Sequence, residues 1–151
     1  MHRSSSDPRR VPMFGVADRR ARYVEREAAY AVILDPGRRA AVVRGRTGIF
    51  LPGGGIEADE SAEEAVLRES LEECGRPLEI LGTIGRAIQY CHGEQGPFRA
   101  QHRFFEARFC GPVSQPAEYP LAWVHVDEAC RWFRYESHVW AVRRLLAEEN
   151  P

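Results

Sequence analysis

The chain has little that would draw it to a membrane. Its 151 residues contain no apolar run near the ~20 residues needed to span a bilayer. Met1 to Pro12 is rich in Ser, Arg and Pro and lacks the apolar stretch of a secretory leader. An excess of one charge is also missing. With 21 Lys and Arg against 22 Asp and Glu, the net charge of −1 gives no drive toward bulk nucleic acid. Cysteine is sparse: Cys74, Cys91, Cys110 and Cys130 are scattered, with no C-x-x-C pair. Without an export signal, this usage points to reduced thiols and a cytoplasmic chain. Cys91, His92, His102 and Cys110 have no zinc-module spacing, so zinc is a minor alternative.

What is present is enough for one domain. An apolar fraction of 44% supports a core, and 28% charged is ordinary. We expect residues 1–13 to be a flexible tail and residues 14–151 to form a single domain. Phe14 to Glu27 is polar and Arg-rich and reads as an edge strand, available for pairing with a second copy of the chain as a homodimer. Ala28 to Leu34 is an apolar run of strand length. The turn Asp35-Pro36-Gly37 and a strand at Ala40 to Val43 would complete a hairpin. Ile49 to Leu51 is a short run, followed by Pro52-Gly53-Gly54-Gly55, which excludes regular structure and opens the backbone to close approach.

Ser61 to Cys74 reads as a helix. Ser61 and Glu64 form a capping box, Gly75 suits the left-handed stop, and Pro77 forbids continuation. Leu78 to Cys91 and Phe98 to Phe109 are two long strands joined through Gly93, Gly96 and Pro97. Trp123 to Val126 is a short strand, with a helical turn from Asp127 through Phe133. Glu136 to Glu149 is an amphipathic helix with Val139, Val142, Leu145 and Leu146 on one side. The strand links are too short for parallel crossovers. A mixed β-sheet with helices on its faces, in the α/β class, fits best.

The Ser61–Cys74 helix carries the chemistry. At about 100° per residue, Glu69, Glu72 and Glu73 share one third of its circumference with Ala62, Ala65 and Val66. Leu67, Leu71 and Cys74 lie opposite, as a greasy side. The carboxylates repel one another by about 0.2–0.5 kcal/mol per pair and crowd the helix end that disfavours anions. Geometry alone leaves two readings open, a wet acidic face or a site for a divalent cation. The glycine turn just upstream favours the cation. Oxygen ligands without His or Cys indicate Mg²⁺ or Mn²⁺.

From Gly54 to Arg76 the chain resembles the Nudix box. Gly54 is followed after five residues by Glu60, and after seven more by Arg68-Glu69, then Glu72-Glu73 and Gly75. Two apolar slots of that pattern hold Ser70 and Arg76 instead. The order of elements from Ala28 to Glu149 is similar to MutT-like members of the family. The resemblance implies an α/β/α sandwich and Mg²⁺-dependent hydrolysis of a diphosphate linkage in a nucleoside diphosphate derivative. It implies metal binding by Glu69, Glu72, Glu73 and the Gly53 carbonyl, with Arg68 holding the glutamates through Glu60. The general base would be Glu69 or Glu73, with Glu118 as an outlying candidate. Gly54, Tyr90, Phe104 and Glu118 are candidate contacts to a small nucleotide-type substrate. Gln89, His92, Phe98, His102, Arg86, Arg99 and Arg103 are further positions on the long strands. The alternative is a non-catalytic binding or sensor domain of the same fold, although none of the box glutamates is missing.

Overall fold

The structure is a computed structural model and describes residues 10–149. Along the chain it runs β1 (Met13–Phe14), β2 (Val24–Val32), β3 (Arg39–Gly45), β4 (Gly48–Phe50), β5 (Gly53–Gly55), α1 (Ala62–Cys74), β6 (Leu78–Gly93), β7 (Gly96–Phe109), β8 (Leu121–His125), α2 (Val126–Trp132) and α3 (Glu136–Glu149). Five strands in the order β1-β6-β7-β2-β5 form a mixed sheet, and β4-β3-β8 form a smaller antiparallel one.

Side-chain alternation along β2 makes the layers. Ala28, Tyr30 and Val32 join a cluster with Phe104 of β7 and with Ala141, Val142 and Leu145 of α3. Ala29, Ala31 and Ile33 join another, with Ala62, Ala65 and Val66 of α1 and Phe105 of β7. A strand that turns alternate residues to opposite faces thus carries α1 on one side and α3 on the other. This is the expected α/β/α arrangement. No helix among the described residues is long and apolar enough to cross a membrane.

Three expectations need correction. The hairpin between Ala28–Leu34 and Ala40–Val43 splays apart. Only a bridge between Leu34 and Ala40 and a bond from Ala41 N to Ile33 O join them. β2 already has β7 on one edge and β5 on the other, so β3 turns away into the second sheet. Phe14 to Glu27 is not one edge strand. Val24 to Glu27 belong to β2, inside the sheet. Met13 and Phe14 alone form an edge, parallel to Ile88 and Gln89 of β6. The strand proposed for pairing with a second copy is thus engaged within its own chain. The expected tail lies outside the described residues up to residue 9, whereas Pro12 O accepts from Ile88 N and Met13 is a strand residue.

The greasy side of α1 is also not its buried side. Ala62, Ala65, Val66, Ser70, Glu73 and Cys74 are buried, while Leu67 is exposed. Small residues let the helix approach the sheet closely. Ser70, in an apolar slot of the box, is fully buried and its Oγ has no partner among the described residues. Arg76 lays its guanidinium 4.4 Å above the Phe109 ring and donates to Gly111 O.

Between the sheet and α3 lies a buried polar set. His102 Nδ1 is 2.8 Å from Ser137 Oγ, Gln89 Oε1 accepts from Ser137 N, and His138 Nδ1 accepts from Leu51 N at 3.1 Å. Burial holds the His102 pKa down at about 4 and that of His138 well below the usual range. Both rings are therefore neutral when folded and take up a proton only on unfolding. A group with a depressed folded pKa contributes stability that is present above its unfolded pKa near 6.5 and lost as pH falls through the folded value. For His102 alone this amounts to about 3 kcal/mol. We expect the melting temperature to fall steadily from pH 6.5 to pH 4. His102→Gln should flatten that fall when the melts are followed by circular dichroism.

Candidate active site

The site is assembled by two ends of α1. At the start, Ser61 Oγ accepts from Glu64 N at 3.1 Å and Glu64 Oε1 accepts from Ser61 N, completing the capping box. At the finish, Gly75 adopts φ 70° and donates its N–H to Leu71 O. The loop before β8 then covers the helix end. Ser114 N donates to Gly75 O, Glu118 N to Glu72 O at 3.0 Å, and the Gln115 amide to Leu71 O at 3.1 Å. These donors satisfy carbonyls that a helix end leaves open.

Arg68 organises one side of the carboxylates. Its Nε and Nη2 hold the two oxygens of Glu60 at 3.1 and 2.6 Å, a bidentate pair. Nη1 donates to Glu69 Oε1 at 3.0 Å, and Nη2 also reaches Gly55 O at 3.1 Å. The hydrogen bonds from Arg68 hold the Glu60 carboxyl below the usual range. One guanidinium therefore ties the loop after β5 to the helix. The partner expected from the sequence, Glu60, is the one observed.

Glu73 is treated differently. It is buried, no cation pairs with it among the described residues, and its Oε2 accepts from Gly53 N at 3.1 Å. Burial pushes its pKa up to about 8, helped by Glu69, Glu118 and Glu72 and opposed by the Gly53 N–H. Burial also raises Glu69, with Arg68 acting against it. Glu72 is the most solvated of the three, its side chain 48% exposed. Glu118 is exposed, but its docked loop brings it close enough to raise both Glu69 and Glu73.

The glycines are required by space. Gly53 has φ 145°, and a side chain there would run into the Ala29 carbonyl. A Cβ on Gly54 would lie 2.8 Å from the Glu69 carboxyl carbon. The bare backbone of β5 is what admits the two carboxylates.

The oxygen-only donor set suits a hard divalent cation, and a buried carboxylate without a counter-charge is where one is stabilising. Among the described residues no three acidic, His or Cys side chains already converge on one point. This accords with Mg²⁺, which keeps waters and takes one or two carboxylates together with substrate phosphates. The zinc alternative finds no support. Cys91 pairs with Phe98 at the tip of the β6–β7 hairpin, whereas Cys110 follows Phe109 at its base.

Glu73 and Gly53 lie in a cleft of about 490 Å³, also lined by Tyr30, Arg44, Arg46, Phe50, Glu94 and Tyr119. Sequence reasoning missed these residues, apart from the two at the base. The available signal was the position of Arg44 to Phe50 directly before the glycine turn. The strand residues chosen instead lie elsewhere. Phe104 is fully buried in the core, so it cannot stack on a ligand. Tyr90 is half-buried, edge-on to Tyr23 at 5.1 Å, and does not line the cleft. Gln89 and His102 belong to the buried polar set, and Phe98 is buried beneath Arg26.

Comparison with known proteins agrees with this geometry. The family model described as the NUDIX domain matches residues 24–150. An RNA pyrophosphohydrolase of Gluconacetobacter diazotrophicus is 36% identical over 50% of this chain and 54% of its own length. The chain thus spans about half of that relative. A NUDIX hydrolase from Nitrosomonas europaea superposes with a TM-score of 0.70 at 21% identity, over 83% of this chain and 90% of that one. The Ap4A hydrolase of C. elegans gives 0.62 at 17% identity, over 83% and 99%. At such identities the structural likeness is one of fold, but the family model covers well over half of the sequence, and the chain belongs to the NUDIX domain family.

Proposed function

We propose that the chain hydrolyses a diphosphate linkage in a nucleoside diphosphate derivative with the help of Mg²⁺ or Mn²⁺. The observation that carries this reading is Glu73, a buried carboxylate with no cation partner, at the base of a cleft walled by aromatic rings and arginines. Glu73 and Glu69 would hold the cation, with Glu72 contributing from its solvated position. The cation, when bound, neutralises phosphate charge and lowers the pKa of a water.

The chain's own residues supply the rest. Arg68 keeps Glu69 aimed at Gly54 and away from Glu72. The Gly53 N–H orients the second carboxylate. Arg44 and Arg46 offer charge-assisted hydrogen bonds to phosphate oxygens, and Phe50, Tyr30 and Tyr119 offer faces to a base. Glu118, exposed and outside the Arg68 network, is free to accept the proton of the attacking water. The relatives bear on the reaction but not on the substrate: an RNA pyrophosphohydrolase and an Ap4A hydrolase are named for different molecules.

The test is a panel of nucleoside diphosphate derivatives, nucleoside triphosphates and dinucleoside polyphosphates with Mg²⁺ or Mn²⁺, read as released phosphate or nucleoside monophosphate. Turnover that vanishes with EDTA is expected for at least one member. Silence across the panel would count against hydrolysis and for a binding domain. On an active substrate, Glu118→Gln should cut kcat by about 10²-fold and leave KM close to the parent value. An unchanged kcat would return the base to Glu69 or Glu73.

A further inference from the structure

Arg86 and Arg103 face each other directly across β6 and β7. Phe104, next to Arg103, points into the cluster on the α3 side, so Arg103 and Arg86 project from the α1 side. The register extends this row across the sheet: Arg103 is the partner of Ala29 on β2, and Ala29 of Gly54 on β5. Gly54 is the position over which the Glu69 carboxylate lies. Two strand spacings, about 10 Å, therefore separate the Arg103 backbone from the carboxylate site on the same face.

This arrangement is costly for a structural surface. Like charges directly opposite on a sheet destabilise it. The register shift between Thr83 and Gly85 precedes Arg86, and such bulges re-aim the side chains that follow. None of the ion pairs among the described residues involves Arg86 or Arg103. On the same face Arg99 is neutralised by Glu25 at 3.0 Å, and Glu27 is the remaining acid of β2. A recess of about 190 Å³ lies between them, lined by Val11, Arg86, Ile88, Arg99, Gln101 and Arg103. The chain has no lysine, so all 21 of its Lys-plus-Arg charges are guanidinium groups, which bind phosphate in a forked geometry.

We propose that Arg86 and Arg103 form a second phosphate-binding site, which holds a phosphate group of the substrate beyond the diphosphate at the carboxylates. The proposal rests on the hydrolase reading above and names a substrate with more than two phosphates. That further group is either part of a longer polyphosphate chain or a phosphodiester of an oligonucleotide.

The experiment uses the full chain in EDTA, so no turnover is needed. Inorganic tripolyphosphate and a short 5′-hydroxyl oligoribonucleotide are titrated separately by calorimetry. The variants are the double substitution Arg86→Gln with Arg103→Gln and, as a matched surface control, Arg143→Gln. The double variant should weaken at least one probe tenfold or more and lower its salt dependence, with a melting temperature no lower than the parent's. The control should bind as the parent does. Loss of tripolyphosphate identifies a polyphosphate chain, and loss of the oligonucleotide identifies a phosphodiester. If the parent binds neither probe, or the double variant binds both as tightly, the proposal is overturned. A chain that hydrolyses nothing can still bind through this pair, and an active hydrolase can fail to. In the turnover assay, the loss in kcat/KM should be at least tenfold larger for substrates with three or four phosphates than for those with two. Equal losses would also overturn the proposal.

Discussion

Glu73→Gln is expected to lower turnover by on the order of 10³-fold or more, about 4 kcal/mol of transition-state stabilisation, because a neutral amide cannot hold a divalent cation. The same change should make the metal-free protein more stable. Glu73 is buried, and its pKa is raised from the ordinary carboxylate range to about 8. A group whose folded pKa is raised favours the fold below its unfolded value near 4.5, and that contribution is lost as pH climbs through 8. The parent therefore carries a growing electrostatic cost between pH 5 and pH 8 that the glutamine does not. Melting curves in EDTA across that range should show the variant pulling ahead with rising pH, and Mg²⁺ should raise the parent alone. Retention of full activity in the glutamine variant would show that the cation is held elsewhere.

The adjacent glycines should behave oppositely to each other. Gly53→Ala places a methyl against the Ala29 carbonyl and the Tyr30 Cα, at φ 145°, a conformation L residues avoid. Both obstacles are backbone of β2, at the centre of the sheet, and neither can move cheaply. We expect a loss of several kcal/mol, on the order of 3 or more, visible as a large drop in melting temperature or as insoluble protein. Gly54→Ala meets only the Glu69 carboxylate, the far end of a flexible side chain, at 2.8–3.0 Å. The chain should fold near normally, while Glu69 swings away from the site and kcat falls by at least tenfold. Circular-dichroism melts and kinetics on the two variants separate these outcomes. Two variants with equal stability would refute the packing argument.

The helix, its capping box and its glycine stop were legible because each depends on contacts within a few residues. The Arg68–Glu60 pair was legible through the register of the box. The alternation of β2 and β7 residues between two helical layers was only half readable. AAYAV is apolar throughout, so its pattern says that both faces are covered but not by what. The partition of β2 and β3 into different sheets was not readable, since it depends on β7 and β5 occupying the edges of β2 from far along the chain. Phe104 illustrates the same limit. An aromatic residue on a strand looks alike whether it meets a ligand or α3, and here the choice was made by a helix more than thirty residues later. The arginines of the cleft were overlooked because Arg44 to Phe50 reads as a break between strands, whereas β3 and β4 make it the wall of the site.

The five-stranded sheet ends on one side in two residues, Met13 and Phe14, and on the other in three glycines, Gly53 to Gly55. An edge strand is where a foreign strand docks, and a long, side-chain-rich edge is an invitation to aggregate. Three glycines offer few backbone groups and no side chains to interlock with a newcomer. The bareness that lets Glu69 and Glu73 come close thus has a second effect. The rim of the site is a poor template for stacking another chain, so guarding against aggregation and admitting the carboxylates are one structural decision made by the same three residues.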